Sequence, residues 1–484
     1  MKKIDSKMLW TEDLIRGIHE EIMTIAAEEM DIVPGRDLYT DQIEIVSAEQ
    51  MIDAYASIGL PVNYHHWSFG KEFVSNFNKY QNGQQGLAYE LIINSDPCIQ
   101  ILMEENSMLE QTMVMAHCVG HNFVFKNNVF FKQWTNSSSI IDYMVYARDY
   151  IRHCEDRYGA DEVERVIDAC HAIKSHGVDK YPRKHQPRSS SEQAAMEILN
   201  ADNARQQELD LILQRTTFKP TEIEQSAEEI EREENLLYFI MKNSPSLPQW
   251  KREIIRIVYK VSQYFYPQSM CQTVHEGMAT FCHHFIMTRL EEKGLITPDA
   301  YIAFLQSHSG VVYQPTYKDR WYSGFNPYAL GYNIFKDIKR AAIEPDAEDR
   351  EWIPQVCNMK WQDAIKSSAS EFRDDGFIMQ MMSPKVIREM GLFSIQYKPS
   401  AAPTVIEIQD ELGYKNIRSQ LAASKQRINF CPEIYVKESN LAGDRELILQ
   451  YNPHMGRSID INDAKDVLKH IDFLWGYPVS LEMP

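Results

Sequence analysis

Two histidines in the stretch MVMAHCVGHNFVFKNN are spaced to bind a metal ion. His117 and His121 are four residues apart, so on an α-helix they project from one face and can reach the same cation. Leu109 and Met113 continue that face, which predicts that it is buried, and Gly120 beside it lets a second helix come close. Such a pair is typical of helical zinc sites. Two hydrogen-bonded core histidines would give the same pattern.

A second motif, VHEGMATFCHH, supplies groups that the first lacks. It places His275 next to Glu276 on a largely apolar helix, where a carboxylate is costly unless it is paired or binds a cation. In the common HExxH motif one helix carries both histidines and the glutamate. Here each helix carries half. Together they predict one catalytic zinc site with Glu276 as the base that activates a water. Its ligands would be His117, His121 and His275.

Other ligand sets stay open on the same two motifs. Glu276 could itself bind the metal with the two histidines of the first motif, which gives the two-histidine, one-carboxylate set suited to iron(II). His283 or His284 could take the place of His275, although His284 fits a surface position or a place behind the ligands better. Glu90, in YELIINSDPC, and His283 are also candidates for side chains that lie behind the ligands and orient them. A structural network of glutamate and histidine between packed helices is the alternative without a metal.

The composition indicates a cytoplasmic protein. The chain has 484 residues, a hydrophobic content of 44% and a formal net charge of −19. This acidic balance argues against binding to nucleic acid or to an anionic membrane, because both require a basic surface. No secretory signal follows the first lysines, and no apolar run is long enough to span a bilayer. The eight scattered cysteines form no CxxC pair, which is typical of a reducing compartment.

Sequence periodicity typical of helices covers most of the chain, and alternation typical of strands appears near its end. Helical periodicity predominates over residues 1–395, which we predict to form a large helical domain. A charged, polar stretch at about 175–235 is predicted to be an exposed insertion in that domain. Alternating segments such as TVIEIQD and RELILQYN predict a small α+β domain over residues 396–484. The expected fold class is α+β, predominantly α-helical.

The motifs lie in longer stretches that resemble the stage V sporulation protein R (SpoVR) family. These stretches are HHWSFGKEF, YELIINSDPCIQILMEENS, MAHCVGHNFVFKNN, HEGMATFCHH, NPYALGYNIFKDIKR and LKHIDFLWGYPVSLE. They cover most of the chain in the family's order, and HNFVFKNN departs only mildly, at the aromatic pair usual before KNN. The resemblance implies a cytoplasmic bacterial protein linked to assembly of the spore cortex, a peptidoglycan layer. In non-sporulating bacteria it implies a link to stress responses alongside a serine kinase.

Three functions follow as hypotheses. The first is a metal-dependent hydrolase of an amide or peptide-like bond, with zinc as the expected divalent metal. The second is an iron(II)-dependent oxygenase or oxidase that uses the same residues. The third is a non-enzymatic regulator or scaffold, with protein partners that include a stress-linked serine kinase system. The distance from His121 to His275 and Glu276 bears on all three, because ligands of one zinc ion have donor atoms about 2 Å from it.

Overall fold

Helices dominate the computed structural model of the chain. The structure describes residues 3–57, 63–81, 90–181, 233–315, 319, 324–392, 394–396, 404–406, 411–426, 431–441, 443–453 and 459–483. The fold class predicted from the sequence, α+β and predominantly α-helical, is confirmed. Within these ranges, no helix combines the length and the apolar content that crossing a bilayer requires.

The regular elements are numbered here in chain order. The helices are α1 (Glu12–Glu29), α2 (Ala48–Ala56), α3 (Trp67–Gln81), α4 (Met108–Asn127), α5 (Val129–Trp134), α6 (Ile140–Tyr158), α7 (Ala160–Ala172), α8 (Leu236–Asn243), α9 (Gln249–Met270), α10 (Gln272–Glu292), α11 (Pro298–Val311), α12 (Pro327–Ile343), α13 (Ala347–Trp352), α14 (Trp361–Glu371), α15 (Asp374–Met381), α16 (Pro384–Glu389), α17 (Glu411–Ser424) and α18 (Ile461–Trp475). The strands are β1 (Asp41–Val46), β2 (Glu90–Ile93), β3 (Cys98–Met103), β4 (Ser394–Gln396), β5 (Thr404–Ile406), β6 (Glu433–Ser439), β7 (Leu447–Asn452) and β8 (Val479–Glu482).

The strands form small sheets of mixed direction. In the first, β3 lies between β1, to which it is parallel, and β2, to which it is antiparallel. Strands β4 and β5 pair antiparallel. In the third sheet β7 lies between β6, antiparallel to it, and β8, parallel to it. These strands and α18 account for the α+β pattern that the end of the sequence predicts.

The chain divides into two compact units. The first contains residues 1–146 and 267–426, and the second contains residues 147–266 and 427–484. The predicted domain boundary between residues 395 and 396 stays a prediction. The predicted insertion at about 175–235 falls largely on residues 182–232, which lie outside the described residues.

Helix α4 lies in the core of the first unit. It begins with a capping box, in which Ser107 and Glu110 each bond the other's backbone N–H. Every residue from Met108 to Phe125 is buried except Glu110. The helix is therefore enclosed on all sides over this length. A helix that is apolar around its whole circumference is typical of a core position. The two histidines of the first motif therefore face other helices rather than solvent.

Glycines let helix α10 approach its neighbours closely on two sides. A Cβ atom placed on Gly120 of α4 would lie 2.4 Å from Cα of Ala279, and one on Gly277 would lie 2.4 Å from Cα of Gly331 in α12. Contacts this short leave no room for a side chain, so the backbones meet directly. The close approach of a second helix at Gly120, expected from the sequence, is confirmed. It brings the two histidine motifs together.

Candidate metal centre

Two histidines from α4 and a glutamate from α10 converge in the core of the first unit. Nε2 of His121 lies 3.4 Å from Oε2 of Glu276, and Nε2 of His117 lies 3.7 Å from the same oxygen. One donor atom from each residue falls within 4.8 Å of the other two. The two imidazoles are about 95% buried. The three residues could therefore hold a metal ion.

These spacings fit a metal site better than direct hydrogen bonds. Hydrogen bonds from nitrogen to oxygen are usually about 2.7–3.2 Å long. Two donors that are each about 2.1 Å from one tetrahedral ion are about 3.4 Å apart. The separation between His121 Nε2 and Glu276 Oε2, 3.4 Å, matches the second arrangement. Two imidazole nitrogens and a carboxylate oxygen are also a donor set that both zinc and iron(II) accept.

The carboxylate of Glu276 is anionic in a buried place. Burial by itself would raise its pKa, but the neighbouring His275 and His121 lower it, and the pKa lies well below that of an ordinary glutamate. Its Oε2 atom is fully buried and makes no hydrogen bond to any residue that the structure describes. The imidazoles are therefore the groups of the chain that stabilise this charge. A cation bound between the two helices would stabilise it further.

Each histidine of α4 contacts a further histidine through its other ring nitrogen. Nδ1 of His117 lies 2.9 Å from Nδ1 of His283, and Nδ1 of His121 lies 3.2 Å from Nδ1 of His275. His283 in turn contacts His308 of α11, with 2.8 Å between Nε2 and Nδ1. Outer partners of this kind orient metal-binding imidazoles and fix the position of their proton. The arrangement leaves the Nε2 atoms of the α4 pair directed toward Glu276.

Burial keeps the outer histidines neutral. Loss of solvation lowers the pKa of His275 to about 4 and that of His308 to about 4. The same cause, with the neighbouring histidines adding to it, holds the pKa of His283 well below its usual range. Neutral imidazole is the form that binds metals and that both donates and accepts hydrogen bonds. The centre therefore combines an anionic carboxylate with neutral outer rings at pH 7.

Helix α15 holds the beginning of α10 in place. The carboxylate of Asp374 accepts hydrogen bonds from the backbone N–H groups of Thr273 and Val274, at 2.9 and 3.1 Å. These N–H groups belong to the first turn of a helix, where they have no partner within the helix, and the end of α10 has no side-chain cap of its own. The next two residues are His275 and Glu276. The cap therefore fixes the turn that carries half of the centre.

Comparisons with known proteins identify the family of the chain. A family model described as SpoVR like protein matches residues 9–430, and another, described as SpoVR-like C-terminal domain, matches residues 432–483. The chain belongs to the SpoVR family. It is also 44% identical over 485 aligned residues to the uncharacterized protein YcgB of Escherichia coli (strain K12), and the alignment covers 98% of this chain and 92% of that protein. No solved structure matches this SpoVR chain.

The structure places most of the predicted site residues of this SpoVR chain close together. His117, His121 and Glu276 form the cluster described above. His275 lies beside it, with Nδ1 3.8 Å from Oε1 of Glu276, and His283 lies behind His117. The roles predicted for these residues, including His275 as a ligand and Glu276 as a base, stay predictions. Glu90 begins β2, but its side chain lies outside what the structure describes.

Two neighbours of the centre could not be singled out from the sequence. His308 stands alone in FLQSHSG, without a second ligand-type residue at helical spacing, so no local pattern marks it. Tyr328 follows the Asn-Pro start of α12, and its ring stacks on that of His117 with 6.3 Å between centroids. The segment NPYALGY suggests a tight helix entry next to a cleft. Only the packing of three helices shows which ring is involved.

Proposed function

We propose that this SpoVR chain is a metal-dependent hydrolase and that His117, His121 and Glu276 hold its divalent metal, with zinc as the first candidate. The observation that carries the proposal is the convergence of their three donor atoms within 4.8 Å in a buried place. Glu276 fits this role because its carboxylate has no lysine or arginine partner among the described residues. The set matches the two-histidine, one-glutamate zinc sites of known peptidases.

Hydrolysis of an amide or peptide-like bond suits the groups present. When bound, a zinc ion polarises a carbonyl and lowers the pKa of a water. The chain supplies two oriented imidazoles and an anionic carboxylate. The neighbouring His275 is neutral at pH 7 and can accept a proton. Tight packing around the α4 pair limits access of bulk water, which strengthens electrostatic interactions.

The metal site predicted from the sequence assigns two of these roles differently. In that version of the site, His275 is the third metal ligand and Glu276 is the base that activates a water. That version requires the His275 ring to turn its Nδ1 atom away from His121, which it now contacts. One variant separates the two versions. Glu276→Gln should lose the metal if Glu276 is a ligand, but should keep it and lose activity if Glu276 is the base.

The biological setting that we propose comes from family membership. We place the chain in the cytoplasm, with a role in assembly of the spore cortex or in a stress response, and with a serine kinase system among its partners. The peptidoglycan of the cortex contains amide and peptide bonds, which agrees with the proposed reaction class. The experiment on the centre does not depend on this setting.

An iron(II)-dependent oxygenase or oxidase is the second candidate, and one observation favours it. His117, His121 and Glu276 are the two-histidine, one-carboxylate set that non-haem iron(II) uses. Anaerobic purification followed by iron analysis and spectroscopy separates it from the hydrolase. Protein that is free of iron and remains active excludes this candidate.

Metal analysis of the full chain, purified without a histidine tag, tests the main proposal. We expect about one zinc per chain, and its loss in a His117→Ala/His121→Ala variant whose circular dichroism remains that of the wild type. His284→Ala, on the same helix as Glu276 but outside the cluster, is the matched control and should keep the metal. If the wild-type chain binds no divalent metal, the enzymatic proposal is wrong. A Glu276→Gln strain with the wild-type phenotype would instead favour a regulator or scaffold.

A further inference from the structure

The second unit contains a cavity of about 410 Å³. Helix α18 lies on one side of it and the sheet of β6, β7 and β8 lies on the other, and the end of α7 and the start of α8 complete the wall. Pockets that bind small molecules usually enclose about 300–1,000 Å³. The cavity is therefore large enough for such a ligand.

Aliphatic side chains line the deep part of the cavity. Leu236 of α8, Leu449 of β7 and Ile471 of α18 are each at most 2% exposed. Val467 and Ala464 continue the helix face of Ile471 toward the start of α18, but both remain partly exposed. The first half of α18 and the sheet therefore leave apolar surface between them unfilled. A ligand with an apolar body would remove that surface from water.

Carboxylates lie at the opening of the cavity. The exposed residues of its lining are Ser175, Asn452, Asp460 and Asp463, and Glu433, which accepts a hydrogen bond from Asn452, is partly exposed. Among the described residues that line the cavity, three carry a carboxylate and none is a lysine or an arginine. None of the three forms an ion pair with a lysine or arginine in the part of the chain that the structure describes. The opening is therefore negatively charged.

The start of α18 does not make this opening attractive to an anion. A helix N-terminus favours negative charge because its first N–H groups lack partners. Here the carboxylate of Asp460 accepts hydrogen bonds from the N–H groups of Asn462 and Asp463, at 2.7 and 3.1 Å. These N–H groups are therefore already satisfied. A cation at the opening would instead meet three carboxylates.

We propose that the cavity binds a small molecule with an aliphatic body and an ammonium group at one end. The aliphatic walls take the body, and the carboxylates at the opening attract the ammonium group while it remains in contact with water. A fatty acid of the same length fits the walls equally well, but its carboxylate is repelled by the like charges at the opening. Binding at this site does not require the metal centre, so it stands or falls separately from the proposed function.

Calorimetric titration of the full chain with decylammonium and with decanoate tests this charge preference. The two probes have the same chain length and opposite charges at pH 7. We expect decylammonium to bind about 10-fold more tightly, because each exposed charge pair changes affinity by up to about fivefold. Decanoate that binds as tightly as decylammonium, or decylammonium that does not bind, would overturn the proposal.

A filled cavity shows whether the probe binds inside it. Ala464→Phe adds a ring on the helix face that lines the cavity, whereas Lys465→Phe adds the same ring at the next position, which is exposed. We expect Ala464→Phe to lower the affinity for decylammonium about 10-fold or more and Lys465→Phe to leave it unchanged. Circular dichroism of both variants should remain that of the wild type. Equal affinities of the two variants would place the probe elsewhere and contradict the proposal.

Removal of charge at the opening separates this site from the acidic chain as a whole, whose formal net charge is −19. Asp460→Asn/Asp463→Asn removes two carboxylates there, and asparagine can still cap the helix. Asp444→Asn/Asp466→Asn, the matched control, removes two from other exposed positions of the same unit. We expect the first variant to bind decylammonium about 3–10-fold more weakly and the control to bind it as the wild type does.

The two double variants also decide the matter if Ala464→Phe does not fold, because exchange of a carboxylate for an amide hardly changes the size of a side chain. A loss confined to Asp460→Asn/Asp463→Asn supports the proposed site. If the control loses the same affinity, only the net charge of the chain attracts the probe and the proposal is wrong.

Discussion

Two carboxylates in the first unit are satisfied in different ways. Asp349 has no exposed surface, and its two oxygens accept from the guanidinium of Arg340 at 2.6 and 2.7 Å, while Nζ of Lys385 lies 3.1 Å away. Glu276 is mostly buried, with 13% of its side chain exposed, and its Oε2 atom is fully enclosed. Its titratable partners among the described residues are imidazoles, the nearest at 3.4 Å.

The difference separates a cluster that the chain completes by itself from a cluster that could hold a metal ion. The cations around Asp349 belong to the chain, and they hold the pKa of its carboxyl far below the usual range even though burial would raise it. Around Glu276, His275 is neutral at pH 7 because burial lowers its pKa to about 4. The chain therefore completes the first cluster by itself. The second could accept a cation from outside the chain.

Removal of the internal cation should have the largest effect. Arg340→Met leaves Asp349 buried without its bidentate partner, and breaking such a pair costs about 3–5 kcal/mol. We expect urea unfolding to show a loss of that size and the folded variant to keep its metal. Lys336, on the same helix as Arg340, forms a half-exposed ion pair with Glu389. Lys336→Met should therefore lower the free energy of unfolding by at most about 1 kcal/mol. Equal effects of the two substitutions would contradict the comparison.

Asp374 is an intermediate case, because backbone N–H groups rather than cations satisfy it. Burial raises its pKa to about 6, against the lowering effect of the hydrogen bond from Thr273. The folded state then binds more protons than the unfolded state between about pH 4 and 6, so this group's contribution to stability falls as the pH rises through that window. The full difference is roughly 3 kcal/mol.

The measurement is urea unfolding of the wild type and of Asp374→Asn at several pH values from 4 to 8. The difference between the two proteins isolates Asp374 from carboxylates such as Asp349, whose lowered pKa values give the opposite slope. The stability of the variant relative to the wild type should rise from pH 4 to pH 6 and level off above that. A constant difference over the whole range would mean that the carboxyl has an ordinary pKa in the folded protein.

The sequence predicts the parts of the centre better than their arrangement. The four-residue spacing of His117 and His121 and the apolar context of Glu276 are local patterns, and local patterns predict helix faces. Which ring nitrogen of His121 faces which partner depends on how closely α4 and α10 approach, and Gly120 against Ala279 sets that distance. Such a contact joins residues 154 or more apart in the chain, beyond the reach of periodicity.

The fold shows the same division between local and distant information. Helical periodicity predicted a mostly helical chain, and alternating segments predicted strands near its end. The sequence did not indicate that the chain from 147 to 266 and the end of the chain form one unit, since strand partners and helix contacts distant in sequence leave no local pattern. His308 was missed for the same reason.

Addition of the external cation should stabilise the protein by a somewhat smaller amount. A ligand that binds only the folded state at about 100 times its Kd raises the free energy of unfolding by about 2.7 kcal/mol. We expect thermal unfolding of the full chain to shift upward with zinc. His117→Ala/His121→Ala should show no shift, and Arg340→Met should show the wild-type shift from a lower starting Tm. A shift that survives in the double variant would place zinc elsewhere.

The smallest expected effect concerns the carboxylate of the centre in the metal-free protein. Although burial raises the pKa of Glu276, His275 and His121 lower it, and it lies well below that of an ordinary glutamate, so its ionised form contributes to stability at pH 7. Glu276→Gln should therefore lower the free energy of unfolding by about 1–2 kcal/mol. Asp349→Asn should lower it more, because an arginine and a lysine pair directly with that carboxylate. Both are measured by urea unfolding at pH 7 with a chelator present. A stabilising Glu276→Gln would mean that the imidazoles do not satisfy the carboxylate and that only an external cation makes it favourable.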